Sequence, residues 1–390
     1  MYDFDSIIDR SKTDCYKLDL RQQTFGNPKV IPLWVADMDF AAPTAVAKVI
    51  QERARHEVYG YTIRPDSFIQ SIVNWQKNHH QWAIEPEWVE YSPGVVPALA
   101  FSILSLTNPG DGIVIQPPVY PPFFSVVKNN QRNLLLNPLV KNQQGQYVFN
   151  LDEFEQLAAL PTTKLLVLCH PHNPVGRDWS IQELTEIGNI CVKHGVTVLS
   201  DEIHADLVLN GKKHTPFAAV CDDFAMNSIT FMAPSKSFNI AGMNTSYVIS
   251  KNSELLAKYR GFQNNLHLNM SHVFGGIALE AAYNHCAGWL KELLFYLADN
   301  VAFVHDYLTH HLPEVRVTKP DATFLLWLDF SALNLSQEEL RQCLYIKAGV
   351  GLNDGLPFGQ EGMGHMRMNV ACPQSVLQDA LERMRRALIV

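Results

Sequence analysis

Lys236 sits among small and apolar residues in the run Met-Ala-Pro-Ser-Lys-Ser-Phe-Asn-Ile-Ala-Gly-Met from Met232 to Met243, just after the strand-like Ser228-Ile-Thr-Phe-Met. A lysine held in such surroundings loses hydration, its ammonium pKa falls, and the amine becomes a nucleophile able to form a Schiff base. A solvated loop lysine would account for an isolated Ser-Lys pair. Three other stretches argue for the reactive reading. His172-Asn-Pro-Val-Gly and Ser200-Asp-Glu-Ile-His each directly follow a strand-like run, and Arg367-Met-Asn-Val-Ala-Cys-Pro lies near the C-terminus.

The elements that must position these groups alternate. Strands are predicted at Gly112–Ile115, Lys164–Cys169, Thr197–Ser200 and Ser228–Met232. A helix is predicted over Ile181–His194, opened by a Ser180/Glu183 capping box and stopped at Gly195. Such alternation argues for an α/β fold whose mostly parallel sheet is covered on both faces. Ligands gather at the carboxyl ends of the strands in such sheets. The residues just past those ends, Tyr120, Asn173, Asp201, His204 and Lys236, become the candidates.

Upstream, helices are predicted over Thr44–His56 and Ser67–Asn78, and an apolar helix runs from Tyr91-Ser-Pro-Gly to the stop at Asn108-Pro-Gly-Asp. Ser92 reads as its N-cap, and Gly94 lets the backbone approach a ligand; a helix start of this kind suits a phosphate. Downstream, helical patterns cover Ser253–Phe262, Ser271–His285 and Trp289–His310, the last long enough to bridge two domains. Strands at Val315–Val317, Phe324–Asp329 and His365–Val370 and helices over Gln337–Gly349 and Gln374–Ile389 complete the chain. The expected division is a large domain of residues 45–288 and a smaller α+β domain of residues 1–44 and 289–390.

Composition narrows the function classes. The 390 residues are 47% hydrophobic and 18% charged, ample for a substantial core. A formal net charge of −8 without a long basic run argues against a nucleic-acid surface. The most apolar stretch, Val95–Leu106, is too short to span a bilayer, and the acidic start Met-Tyr-Asp-Phe-Asp lacks a signal-peptide pattern. Seven scattered cysteines without a CxxC read as reduced thiols, so a soluble cytoplasmic protein is expected. The pairs His170/His172, His79/His80 and His310/His311 come without a third ligand at a recognisable spacing, and no metal is expected. Asp37 and Asp39 in Trp34-Val-Ala-Asp-Met-Asp-Phe could be paired acid/base carboxylates, but a segment packed across a domain junction explains them better.

Read together, these stretches resemble the pyridoxal-phosphate enzymes of fold type I, the aspartate-aminotransferase-like, three-layer αβα proteins, over essentially the whole chain. Trp34-Val-Ala-Asp-Met-Asp-Phe, Tyr91-Ser-Pro-Gly-Val-Val, Ser200-Asp-Glu-Ile-His-Ala-Asp and Ala233-Pro-Ser-Lys-Ser-Phe-Asn-Ile-Ala-Gly resemble the cystathionine β-lyase/C–S lyase branch, which also holds a regulator of maltose genes. The resemblance implies pyridoxal 5′-phosphate as cofactor, joined to Lys236, which then acts as the base at the substrate Cα. It implies Asp201 on the pyridine nitrogen, Asn173 and His204 near the ring oxygen O3′, and Tyr120 and Ile203 on the two ring faces. It also implies a phosphate held by the N–H groups of Val95 and Val96, by Ser235, and by Tyr61 from a second subunit, hence a homodimer with shared sites. Arg367 would grip the substrate α-carboxylate, with Asn173 beside it, through a two-pronged contact that lysine could not copy. Many aminotransferases carry an arginine eight residues past the lysine; here that position is Asn244, as in the lyase branch.

Three functions follow. The resemblance favours β-elimination from cysteine-S-conjugates such as L-cystathionine, releasing thiol, pyruvate and ammonia. A class I/II aminotransferase shares the same first steps, and an enzyme with an added protein-binding regulatory role is compatible with the branch.

Overall fold

The computed structural model describes residues 2–388; the closing helix is observed over Gln374–Leu388, and the Ile389 assigned to it lies outside the described residues. Seven strands build the central sheet: β1 (Val89–Ser92), β2 (Gly112–Ile115), β3 (Asn133–Leu136), β4 (Thr163–Cys169), β5 (Thr197–Asp201), β6 (Ser228–Met232) and β7 (Ser246–Ile249). Their spatial order is β1-β7-β6-β5-β4-β2-β3, and only β7 runs antiparallel to its neighbours. The all-buried strands β2 and β6 carry apolar residues on both faces because helices cover both sides. One face packs on helices Val95–Leu106 and Ser253–Asn265 through Leu99, Ile103, Leu256 and Tyr259. The other packs on Ile181–His194 through Leu184, Ile187 and Cys191. The capping box and the left-handed Gly195 appear as expected, satisfying orphan N–H and C=O groups at the two ends of that helix.

Beyond β7 the helix Ala287–His311 buries Trp289, Leu293, Leu297, Val301, Val304 and Leu308 at helical spacing. It packs near an antiparallel four-stranded sheet in the order Arg316–Val317, Leu325–Asp329, His365–Asn369, Asn353–Asp354. The N-terminal segment joins this part in space, Ile31–Pro32 pairing in parallel with Val350–Gly351. Asp37 and Asp39 are structural: Arg10 Nη2 meets Asp37 at 2.6 Å, and the buried Lys17 Nζ meets Asp39 at 2.7 Å.

Two local expectations change. The single helix over Gln337–Gly349 is an α-helix only to Arg341 and continues as a π-helical turn over Gln342–Ala348, closed by the left-handed Gly349. Ser92 does not cap the next helix. Pro93 separates it from the helix start, Gly94 occupies the cap position, and the Ser92 hydroxyl donates to the Gly94 carbonyl at 2.9 Å.

Candidate active site

The carboxyl ends of β4, β5 and β6 open onto a cavity of about 340 Å³ lined by Tyr120, Asn173, Asp201, Ile203, His204, Ser235, Lys236 and the backbone from Pro93 to Pro97. Of the residues singled out from the sequence, this single space gathers all but Tyr61 and Arg367. A shallower groove of about 710 Å³ between helices Thr44–Ala54 and Gly275–His285 holds none of them.

Lys236 lies in a short helical turn, Pro234–Ser237, straight after β6. Its Nζ donates to the Ala36 carbonyl at 2.7 Å. Burial, helped by the nearby Arg367 cation, lowers its pKa to about 8. Asp201 ends β5, 4% exposed, and burial pushes its carboxyl up to about 7 while the Ile203 N–H, donated at 3.2 Å, pulls it down. A buried carboxyl in that state asks for a cationic or N–H partner. His204 is buried with Nδ1 unpartnered, and desolvation lowers its pKa to about 3, so the ring is neutral. Tyr120 stands before the helix Pro122–Lys128, its phenol pKa raised by burial.

The helix Val95–Leu106 points its start at the cavity with no side-chain cap. Pro97 has no N–H, so Val95 and Val96 supply the free donors of the first turn, and the Ser235 and Thr245 side chains lie alongside. Asn244, where an arginine was noted as missing, adopts a left-handed conformation at φ 45° beside them.

Arg367 sits on the strand His365–Asn369, 4% exposed, with its guanidinium 5.0 Å from the Phe358 ring centroid. It donates to Asn173 Oδ1 at 3.0 Å, the Trp34 carbonyl at 3.0 Å and Asn353 Oδ1 at 2.6 Å. A guanidinium has five N–H donors; three are used here, one Nη1 N–H is free for a ligand carboxylate, and Nε is buried without a partner. Burial lowers its pKa to about 10, and it remains cationic at neutral pH.

Tyr61 is 95% exposed and outside the cavity of its own chain. Reasoning from sequence missed Thr245, Cys169, whose Sγ accepts the Asn173 N–H at 3.3 Å, and the Asn353, Trp34 and Ala36 partners of the two cations. Only the Trp34-Val-Ala motif carried a signal for the last two. A third group does converge on His170: Asp178 and His214 bring ligand-type atoms within 4.8 Å of one another. Their distance along the chain had hidden this.

Comparison with known proteins gives the family. The family model "Aminotransferase class I and II" matches residues 28–384. The cystathionine beta-lyase PatB of Bacillus subtilis (strain 168) is 43% identical, covering 99% of each chain. Cystalysin from Treponema denticola, solved with a pyridoxal 5′-phosphate cofactor, superposes with a TM-score of 0.96 at 35% identity, over 100% of this chain and 99% of that one. The PLP-bound C-S lyase of Staphylococcus hominis gives a TM-score of 0.92 at 32% identity with the same coverage. On a family match spanning residues 28–384 and relatives similar over the whole length, the chain belongs to the class I and II aminotransferase family.

Proposed function

We propose that this protein is a pyridoxal-phosphate-dependent carbon–sulfur lyase that cleaves cysteine-S-conjugates such as L-cystathionine to thiol, pyruvate and ammonia. The observation that carries the reading is the amine of Lys236, its pKa lowered to about 8, in one cavity with Asp201, Asn173 and an uncapped helix start. The cavity's donor set suits that cofactor. The free N–H groups at Val95 and Val96 and the Ser235 hydroxyl match a phosphate, the high-pKa Asp201 matches a pyridine N–H, and the unpartnered His204 Nδ1 and the Asn173 amide match the ring oxygen. When bound, the cofactor supplies an electron sink conjugated to the substrate Cα.

The chain's own residues do the rest. Lys236 would hold the cofactor through its amine, and its Nζ would take the substrate Cα proton and offer it to the departing sulfur. Asp201 would keep the cofactor's pyridine nitrogen protonated. Tyr120 and Ile203 would pack against the cofactor ring and exclude water. Arg367 would offer its charge and its free Nη1 N–H to the α-carboxylate, and Asn173, held by Arg367 at 3.0 Å, would position the cofactor beside it.

The enzyme works as a homodimer with shared sites. Val58, Tyr59, Tyr61 and Ile63 are exposed beside Leu266, Leu268 and Met270, and Arg64 joins the two segments by donating to the Asn269 carbonyl. Such exposed apolar residues on two linked segments suit a partner surface, from which Tyr61 would reach the phosphate site of a second copy. The large domain is residues 45–288 and the small one residues 1–44 with 289–390. The seven cysteines are free thiols, which suits a reducing, cytoplasmic compartment. No described helix is long and apolar enough to cross a membrane.

The test is to incubate the purified protein with L-cystathionine and no oxo acid. Free thiol and pyruvate should appear in equal amounts. Turnover only on adding a 2-oxo acid would instead make the protein an aminotransferase.

A further inference from the structure

A chain of buried carboxylates and imidazoles underlies the segments that carry Asp201 and Lys236, and the function proposed above does not use it. Glu202, beside Asp201, is 1% exposed; its carboxylate accepts the Ser200 hydroxyl at 2.7 Å, the Phe217 N–H at 3.0 Å and His214 Nε2 at 2.9 Å. His214 Nδ1 lies 2.8 Å from Asp178 Oδ1. His170 completes the cluster, its ring 4.3 Å from that of His214, with Nε2 3.0 Å from the Thr215 carbonyl and its backbone N–H on the Asp201 carbonyl at 2.9 Å. On the other side Ser237, beside Lys236, donates to Asp206 Oδ2 at 2.7 Å, and Asp206 also takes the Trp75 indole at 3.0 Å and His80 Nε2 at 2.8 Å. The His80 ring lies edge-on to His214, centroids 5.7 Å apart, so the two halves touch.

A neutral imidazole has one N–H, whereas His214 faces a carboxylate oxygen at each nitrogen. Both contacts are satisfied only by the imidazolium. Burial opposes that charge, but the two carboxylates outweigh it and lift the pKa to about 10. The facing titratable groups are Asp178, Glu202, His170 and His80; both carboxylates are held below their usual range and His170 is pushed down by burial.

We infer that His214 is a positioning residue for the cofactor site: its imidazolium, clamped between Asp178 and Glu202, offsets the buried charge next to Asp201 and lets Asp201 hold the negative charge that a pyridine N–H requires. The inference rests on the cofactor assignment but not on the lyase reaction. Glu202 and Asp201 are adjacent, and two buried anions so close oppose each other's ionisation. Removing the cation that neutralises Glu202 leaves that carboxylate uncompensated, and the cost falls on its neighbour Asp201. The same proton leaves His214 Nδ1 no lone pair for a metal ion, so the converging donors of His170, Asp178 and His214 are an ion-paired cluster.

The test begins on protein labelled with 15N-histidine, with and without pyridoxal phosphate. One signal pair, absent in His214→Gln, should remain in the imidazolium range to about pH 9. A neutral or metal-shifted His214 at pH 8, or stoichiometric metal in the purified protein, overturns the inference. Next, His214→Gln should bind pyridoxal phosphate about ten-fold more weakly by fluorescence titration, and Glu202→Gln added to it should recover most of the loss. A double variant no better than the single one would assign His214 to packing alone and refute the electrostatic role. Should His214→Gln fail to fold, Asp178→Asn serves instead. It should lower the His214 titration midpoint by about one pH unit or more, and an unmoved midpoint refutes the inference. None of these readouts uses thioether cleavage, so a protein that passes them yet leaves cystathionine intact overturns only the proposed reaction.

Discussion

Replacing Arg367 by lysine tests the geometry of substrate recognition, because the charge stays and the fork is lost. Arg367 already spends three N–H donors on Asn173, Trp34 and Asn353, leaving one Nη1 N–H beside the charge for a carboxylate. Hydrogen bonds between charged groups contribute about 1.5–3 kcal/mol each. A lysine ammonium keeps one such contact at most and cannot also satisfy the three protein acceptors. The loss is thus at least one charged hydrogen bond, about 10–100-fold in kcat/KM at 1.4 kcal/mol per decade. Arg367→Met, which removes the charge as well as every hydrogen bond, should lose more, about 10²–10⁴-fold. The assay is steady-state thiol release, with the visible absorbance of bound cofactor as a control. Arg367→Lys within about three-fold of the parent in kcat/KM would refute the assignment, and so would loss of cofactor with unchanged substrate KM.

Five other outcomes follow from the same geometry. Asp201→Asn should lower kcat by at least ~100-fold without unfolding the protein, read by thiol release and circular dichroism. Rebinding of pyridoxal phosphate to the cofactor-free protein should accelerate with pH through about 8 as Lys236 loses its proton. Because the folded pKa lies below the unfolded 10.5, the unfolded chain binds more protons between those values, so this group makes the folded state more stable as pH rises across that window, measurable by denaturant melts. Gly275→Ala would set a Cβ 1.9 Å from Thr245 Oγ1 and 2.7 Å from the Met243 carbonyl, so it should displace the cavity wall at Thr245 and weaken cofactor binding, seen by fluorescence titration. Mixing Tyr61→Ala and Lys236→Ala subunits should restore up to about a quarter of parental activity, since mixed dimers hold one complete site; no recovery after exchange would place Tyr61 outside the partner's site.

Much of this was legible in the chain itself, for a physical reason. Asn173, Asp201 and Lys236 each follow a strand whose apolar run is unmistakable, and a parallel sheet delivers every strand end to one edge. The Ser180/Glu183 box and Gly195 are local signals, and they fixed that helix to the residue. What escaped depends on contacts remote in sequence. Asn353 reaches Arg367 across an antiparallel pair, Ala36 meets Lys236 from 200 residues away, and His214 meets Asp178 from 36. No spacing rule encodes such meetings. Ser92 was misread because cap propensity ignores an intervening proline, and the π-helical turn after Arg341 leaves no mark in hydrophobic periodicity.

The account turns on which lysine carries the cofactor, and borohydride reduction of the native holoenzyme followed by peptide mapping addresses that most directly. The phosphopyridoxyl mass should fall on the peptide containing Lys236 and on no other. A label on any other lysine, or none on that peptide in a yellow, active preparation, would contradict the central assignment.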